Sequence, residues 1–535
     1  MKTTLQLLLL FFTSVSFSQI TLEHTYENNI VTRINLEISG EKYYYFNETT
    51  DEIIIYNSNH TFWRTIPLEI ATNTIATTIN FISENQINLD TNIEIGYTNQ
   101  YSNPDPNSVQ SESKIINENG TELFKSINTN SLIISEIDGL SNKLIVVNSD
   151  SIQSSKVYSL PDFNFETNYS EGLIYRIKLE ESGEKYYVFD SGNKRVVFYN
   201  SNHTIWKTIN TPFPQGNFQG VYLVSEKSIN SDSLLELGYT YNNFPNSLLQ
   251  FEGKIVNENN DVLLTVPDAY TFSLSNLLGF ENKLISTTVS RSGFFNYTTK
   301  VFQLPSLFLE HSYETTIERV VFENSGEKYY TTIPKNNQII IYNANHSIWK
   351  SIELPMPSGF TASSVIHLSE TKINPDSVIE FAYSYYKTET PFNKFESRVI
   401  NENGTVLLTV PNADSTFSFS QIPGLENKFI ALTGIGFSKR STEVYDLNGN
   451  LNQINFKPNK INIFPNPVNY FININSSTSP IKEVAIYNML GALVKKEMAQ
   501  NSTKIDVERL PVGIYIVNLT DSNNQKSTHK ITILR

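Results

Sequence analysis

The sequence predicts an all-β protein: a β-propeller of three units of about 143 residues, holding about nine four-stranded blades, followed by a small C-terminal β-sandwich. Three observations lead there. Thr, Ile and Tyr are plentiful, Asn and Ser fill the gaps between them and Ala is scarce, the composition of strands joined by many turns. The chain also repeats itself, since Ser39-Gly-Glu-Lys-Tyr-Tyr44 returns at Ser182 and Ser325, and Tyr56-Asn-Ser-Asn-His-Thr-Phe-Trp63 returns at Tyr199 and Tyr342, each time 143 residues on. Finally, 535 residues exceed what one non-repetitive core holds, which is roughly 250–300 residues.

Later landmarks of the unit keep their order. Ile93-Glu-Ile-Gly-Tyr97 corresponds to Leu235 to Tyr239 and Ile379 to Tyr383, and Asn117-Glu-Asn119 to Asn257 to Asn259 and Asn401 to Asn403. The units are placed at 19–161, 162–305 and 306–450, with Leu160-Pro161 and Leu304-Pro305 as boundaries. Within the first unit, alternating or continuous apolar runs bounded by turn formers divide into blocks of roughly 48 residues, each of four strands. Runs such as Lys42-Tyr-Tyr-Tyr-Phe46 and Ile53-Ile-Ile-Tyr56 give a sheet two apolar faces. Such a sheet must be covered on both sides, and radial stacking does that for every blade while leaving short edges. The segment Thr21 to Tyr26 is available to close the ring; the alternatives are three separate β domains in a row and a ring of seven or eight blades.

At the N-terminus, Met1-Lys2, the apolar run Leu5 to Phe12 and the small residues before Gln19 have the pattern of a secretory signal peptide, with removal after Ser18. The run is too short for a membrane anchor, and no later segment is long and apolar enough to span a bilayer. Loss of Lys2 would take the formal charge from -14 to -15.

The character of the chain changes after a linker at 451–460. Ile461-Asn-Ile-Phe-Pro-Asn-Pro467, the alternating run to Asn475, Val484 to Gly491, Leu510-Pro-Val-Gly-Ile-Tyr-Ile516 and a closing Lys530 to Arg535 read as strands separated by Pro and Gly turns. On the motif residues Phe464, Pro465, Asn466, Pro467, Gly491, Gly513 and Tyr515, residues 461–535 closely resemble the type A C-terminal sorting domain of Bacteroidetes type IX secretion cargo. The family usually ends near a lysine, where this chain has Arg535. The resemblance implies passage through the outer membrane by that machinery, then cleavage and either attachment of the body to the cell surface or its release. An address says nothing of the cargo's chemistry.

Composition excludes several functions. With no cysteine there is no disulfide framework, thiolate metal site or thiol catalysis. A formal charge of -14 argues against nucleic acid and against an anionic membrane surface as partners. Nucleophile elbows, phosphate-binding glycine loops, H-E-x-x-H and dinucleotide fingerprints are missing, so no catalytic residue, cofactor or metal is assigned.

The recurring side chains are weighed instead. His60, His203 and His346 suggest metal ligands, but copies so far apart belong to different blades, which favours turn histidines stacked near the unit's tryptophan. Trp63, Trp206 and Trp349, each followed by a cation, suggest an aromatic sugar platform or a filler between blades. Glu94, Glu236 and Glu380 read as mid-strand carboxylates; if their strands line the central channel they surround one axis and would hold a cation or basic ligand, and otherwise they are paired locally. Asp90, Asp232 and Asp376 read as turn formers.

The reading that follows is a secreted or cell-surface binding or adhesion protein, non-enzymatic, contacting extracellular polysaccharide or protein. Repetition suits multivalent contact, whereas a catalytic site breaks symmetry. The alternatives are a carbohydrate-active enzyme whose acid pair comes from the loops that differ between copies (Asn99 to Asn107, Phe213 to Phe218, Tyr386 to Phe392), and a structural surface-layer component.

Overall fold

The computed structural model describes residues 20–534 except 89, 103–109, 214–215, 244–248, 291–295, 334–335, 375–376, 390–392, 414–416, 435–439, 448–460, 465–467, 477–480, 489–491, 499–503 and 522–525. The expected signal peptide, the linker and Pro465, Asn466, Pro467, Gly491 and Asp376 lie outside the described residues. The chain divides into two compact units, 1–449 and 450–535.

The first unit is a propeller. Its described residues form nine antiparallel four-stranded sheets, eight of which take four consecutive strands in order. Blade 1 comprises Thr32–Leu36, Gly40–Asn47, Glu52–Asn57 and Phe62–Pro67. Blades 2 to 8 follow at 74–127, 129–169, 174–210, 216–267, 269–313, 318–353 and 361–411. In blade 9, Ser418–Ser420, Lys428–Thr433 and Ser441–Asp446 are completed by Thr21–Tyr26 from the far end of the unit, with Thr21 opposite Asp446 and Tyr26 opposite Thr442. The strand expected to close the ring does so.

First strands of neighbouring blades approach one another, as do Thr74–Ser83 and Thr129–Ser135, or Gly216–Ser225 and Ala269–Ser275. The first strand of each blade is therefore nearest the hub and the fourth is outermost. Apolar clusters lie between blades: Leu36, Ile53, Ile55 and Ile66 of blade 1 meet Ile95 and Tyr97 of blade 2, and Leu179, Val196 and Phe198 of blade 4 meet Leu237, Tyr239 and Tyr241 of blade 5. Burial of both faces is the driving force that the near-continuous apolar strands require.

Antiparallel alternation gives the propeller two ends. Turns between first and second strands and between third and fourth strands share one end. Turns between second and third strands, and the connections between blades, share the other.

The second unit, considered by itself, has a three-stranded sheet of Ile461–Phe464, Phe471–Ser476 and Lys504–Asp506. A four-stranded sheet contains Ile481–Asn488, Leu493–Met498, Gly513–Asp521 and Lys526–Ile533. Ile472, Ile474 and Ile505 of the first pack with Val484, Ile486, Val517 and Ile531 of the second, the core of a sandwich. Tyr515 is buried and its hydroxyl donates to the Pro511 carbonyl at 2.8 Å, fixing the turn that Gly513 ends.

Candidate functional site

The recurring motifs resolve into locks between blades, all at the first-turn end. In Ser39-Gly40-Glu41-Lys42 the glycine takes φ +71°, a left-handed turn that a side chain would strain; Gly183 and Gly326 repeat it at +72°. Glu84, from the next blade, accepts the Ile38 and Ser39 N–H groups at 2.7 Å each, and the Ser39 hydroxyl also donates to it. Glu226 and Glu370 do the same for the turns at Ser182 and Ser325. Burial would raise the carboxyls of Glu226 and Glu370, but these hydrogen bonds outweigh it and hold both below the ordinary range.

The Glu of the motif accepts a buried arginine from its own blade. Arg33, Arg176 and Arg319 donate Nε to Glu41, Glu184 and Glu327 at 2.8, 2.7 and 2.7 Å. Their remaining nitrogens reach carbonyls of the preceding blade, for instance Arg319 to Ser275 at 2.8 Å and Glu281 at 2.7 Å.

Trp63, Trp206 and Trp349 are half-buried and pack into the clusters between blades. Each ring centroid has two cations within 5 Å: Lys42 and Arg64 at 4.6 and 4.0 Å, Lys185 and Lys207 at 4.8 and 4.3 Å, Lys328 and Lys350 at 4.7 and 4.6 Å. Arg64, Lys207 and Lys350 then pair with Glu118, Glu258 and Glu402 of the following blade. The cations that follow the tryptophans therefore work in cation–π contacts and as bridges between blades.

The turn histidines correct one expectation. They take φ +62° to +65° in the Asn-His turn, but their ring contacts are tyrosines and other histidines rather than the unit's tryptophan. The hydroxyls of Tyr26, Tyr169 and Tyr313, on the outer strand of the preceding blade, lie 2.7–2.8 Å from Nδ1 of His60, His203 and His346. The outer strand was too distant in sequence to be seen as the partner. Among the described residues no group of three or more His, Cys, Asp or Glu is placed to hold a metal ion.

Glu94, Glu236 and Glu380 open the second strands of blades 2, 5 and 8 rather than sitting mid-strand, and are 0% exposed. Second strands stand one removed from the hub, so the three carboxylates do not surround the axis. Asn88 and Asn374 donate to Glu94 and Glu380 at 3.1 and 3.0 Å. Burial, reinforced by Asp90 and Asp232, pushes the Glu94 and Glu236 carboxyls up to about 8. Asp90 and Asp232 themselves form the expected turns, accepting the N–H of Asn92 at 2.8 Å and of Leu234 at 2.9 Å.

A pH dependence follows from the raised carboxyls. Between pH 4.5 and 8 the folded state keeps two protons that the unfolded state has released, so their contribution to stability falls as pH rises through that window. The double variant Glu94→Gln/Glu236→Gln is expected to match the parent at pH 4 and to exceed it by several kcal/mol at pH 8.5 in urea unfolding. Equal stabilities at both pH values would refute the assignment.

The other end of the propeller departs from threefold repetition. Between blades 4 and 5 lies a cavity of about 580 Å³, lined by residues of their first strands, by Tyr187 and Phe189, and by residues 151–152, 171–173, 191, 194, 213 and 216–218. Phe189 and Phe218 stack with centroids 3.4 Å apart, and Tyr175 and Tyr187 at 5.1 Å. Lys194 Nζ donates to the Phe213 carbonyl at 3.0 Å and sits 4.3 Å from the centre of its ring. Asn217, Gln219, Ser151 and Ser191 supply neutral polar groups. Glu171 is the single carboxylate among the lining residues; nearby Asp190 is tied to Asn193 and Arg195 at 2.7 and 2.8 Å.

The aromatic walls of the cavity come from one copy of the unit, while Ser151 and Ile152 come from the end of the copy before it. Counting from Arg176 and its equivalents Arg33 and Arg319, Tyr175 stands where the other copies have Thr32 and Glu318. By strand register, Phe218 opposite Tyr241 stands where Thr77 lies opposite Asn99 and Ala362 opposite Tyr385. Lys194 replaces Asp51 and Asn337, whose carbonyls make the same turn hydrogen bond. The divergence of Phe213 to Phe218 was legible in the sequence. Its meeting with Tyr175 and Phe189 was not, because they come from different strands.

Residues 462–534 match the family of secretion system C-terminal sorting domains. The chain thus carries a type IX sorting domain and is a secreted or cell-surface cargo that engages that machinery. No curated protein matches the sequence. Among solved structures, a eukaryotic initiation factor is 11% identical with a TM-score of 0.43, covering 87% of this chain and 98% of its own. The Dos1 propeller is 10% identical with a TM-score of 0.36, covering 80% and 96%. BamB from Moraxella catarrhalis is 6% identical with a TM-score of 0.32, covering 70% and 99%. No helix among the described residues is long and apolar enough to cross a membrane.

Proposed function

We propose that this is a non-enzymatic binding protein, exported after loss of residues 1–18 and held at the outer-membrane surface or released, which binds an extracellular polysaccharide through the propeller. The observation that carries the reading is the aromatic cavity of blades 4 and 5, the place where one unit departs from its copies. Concave sites with aromatic walls and a few polar groups are the usual form of a small-molecule or sugar site, and this volume falls within their ordinary range of about 300–1,000 Å³. Glycoside hydrolysis needs two carboxyl groups about 5–10 Å apart. The lining supplies one, and the acid beside it is already engaged. The domain limits of the sequence reading, with a body at 19–450 and an address from 461, are part of this proposal.

The test is a polysaccharide binding panel on the full chain, run beside a reducing-end assay on the same polymers. Saturable binding without release of reducing ends is expected. Turnover that disappears in Glu171→Gln would replace the binding reading with the enzymatic one.

A further inference from the structure

Resting on that reading, we infer that the cavity takes an uncharged sugar residue, bound once per chain by stacking on the aromatic walls of the second unit. Two features of the lining select this chemistry. The first is charge: the lining has one cation, Lys194, and one anion, Glu171. Lys194 gives one of its N–H groups to the Phe213 carbonyl and sits over that ring. An acidic sugar would meet Glu171 as well as Lys194, so the two opposite charges leave the lining with no net preference for an anion. A cationic ligand would face Lys194. Burial of an unpaired charge is costly, so a neutral ligand is favoured.

The second feature is shape and polarity. Tyr175 is 49% exposed and backed by Tyr187, so an aromatic face stands open above the hub strands. The paired rings of Phe189 and Phe218 form a second wall, and Phe213 a third. Flat apolar walls accept the C–H faces of a pyranose ring, while its equatorial hydroxyls need donors and acceptors at the rim. Asn217 and Gln219 stand on the same strand as Phe218 and offer both. A purely apolar ligand would leave these amides unused, and hydrogen-bonding groups in a site discriminate strongly against such ligands.

The repeat itself supplies the variants. Tyr175→Thr installs the residue of the first copy and Phe218→Ala that of the third, so each side chain is one that its position in the unit already tolerates. The experiment titrates the full chain with neutral gluco-, manno- and galacto-oligosaccharides, and with uronic-acid and sulfated oligosaccharides, by calorimetry at low and high salt. The expected result is one site per chain for a neutral oligosaccharide, affinity insensitive to salt, and at least a tenfold loss in each variant. Unchanged thermal unfolding of the variants, and unchanged affinity in the first-unit control Thr32→Ala, would complete that result.

Neutral binding that both variants leave intact would overturn the site while leaving the binding function standing. Preference for acidic oligosaccharides, lost in Tyr175→Thr and weakened by salt, would overturn the ligand class alone. Absence of binding to every oligosaccharide, and to the polymers of the preceding panel, would overturn both.

Discussion

Deletion of residues 20–30 is expected to abolish cooperative folding of the propeller. Thr21–Tyr26 is the outer strand of blade 9, and its removal leaves Ser441–Asp446 as a bare edge. The same segment reaches both neighbours of the seam. Glu23 accepts Lys428 at 2.8 Å, the Tyr26 hydroxyl lies 2.8 Å from His60, and the Thr442 hydroxyl receives the Val31 N–H and donates to the Asn29 carbonyl, each at 2.9 Å. Ile20 and Tyr26, 5% and 4% exposed, leave the core with it. Two large side chains at about 1.5–3 kcal/mol each, together with a strand of ladder hydrogen bonds, amount to most of the ~5–15 kcal/mol that separates folded from unfolded domains. The measurements are urea unfolding and size-exclusion chromatography. A broad transition and self-association through the open edge are expected, partly reversed by a synthetic peptide of residues 20–30. An unaltered transition midpoint would show that the seam does not hold the ring.

Arg319→Ala is expected to destabilise the chain by about 3–5 kcal/mol, because it leaves the largely buried Glu327 carboxylate without its cation and takes the donor from two carbonyls of blade 6. The arginine side chain is 1% exposed and Glu327 11%. The loss is the cost of breaking the set, not the worth of the pair. The double variant Arg319→Met/Glu327→Met is therefore expected to recover most of the deficit, since apolar groups of similar size can replace a buried ion pair at little net cost. Arg176 reaches the corresponding Glu184 carboxylate and the Ser135 and Ser141 carbonyls at 2.7, 2.8 and 2.8 Å, and its removal should give a similar loss. Urea midpoints for the three variants decide the matter. A double variant no better than Arg319→Ala, or a single variant within 0.5 kcal/mol of the parent, would contradict the account; surface substitutions usually stay within about that margin.

The threefold step of 143 residues, the division into four-strand blocks and the closing strand were all legible, because each depends on local alternation and on counting along the chain. The C-terminal sandwich was legible for the same reason, with Pro and Gly marking its turns. Partnerships across blades were not. Ser39 and Glu84 stand 45 residues apart, and Arg319 and Ser275 44 apart, so that neither pairing leaves a spacing signature. For that reason the tryptophan cations, the histidine–tyrosine contacts and the buried acids could be counted in the sequence but not given partners. Whether the acids face the axis or pair locally stayed open, because the sequence shows which residues share a strand, not which strand faces the hub.

The sequence by itself determined the architecture and the address: repeated apolar strands must stack with both faces covered, and the C-terminal motifs mark an exported cargo. The tertiary structure alone decided which end of the ring does what. Alternating strands send the Ser-Gly-Glu-Lys and Asn-His turns to one end, where they lock blade to blade three times over. The turns that differ between copies go to the other end. There Tyr175, Phe189 and Phe218, from three different strands, meet in a single cavity, because blades 4 and 5 pack side by side and Phe189 of one stacks on Phe218 of the other.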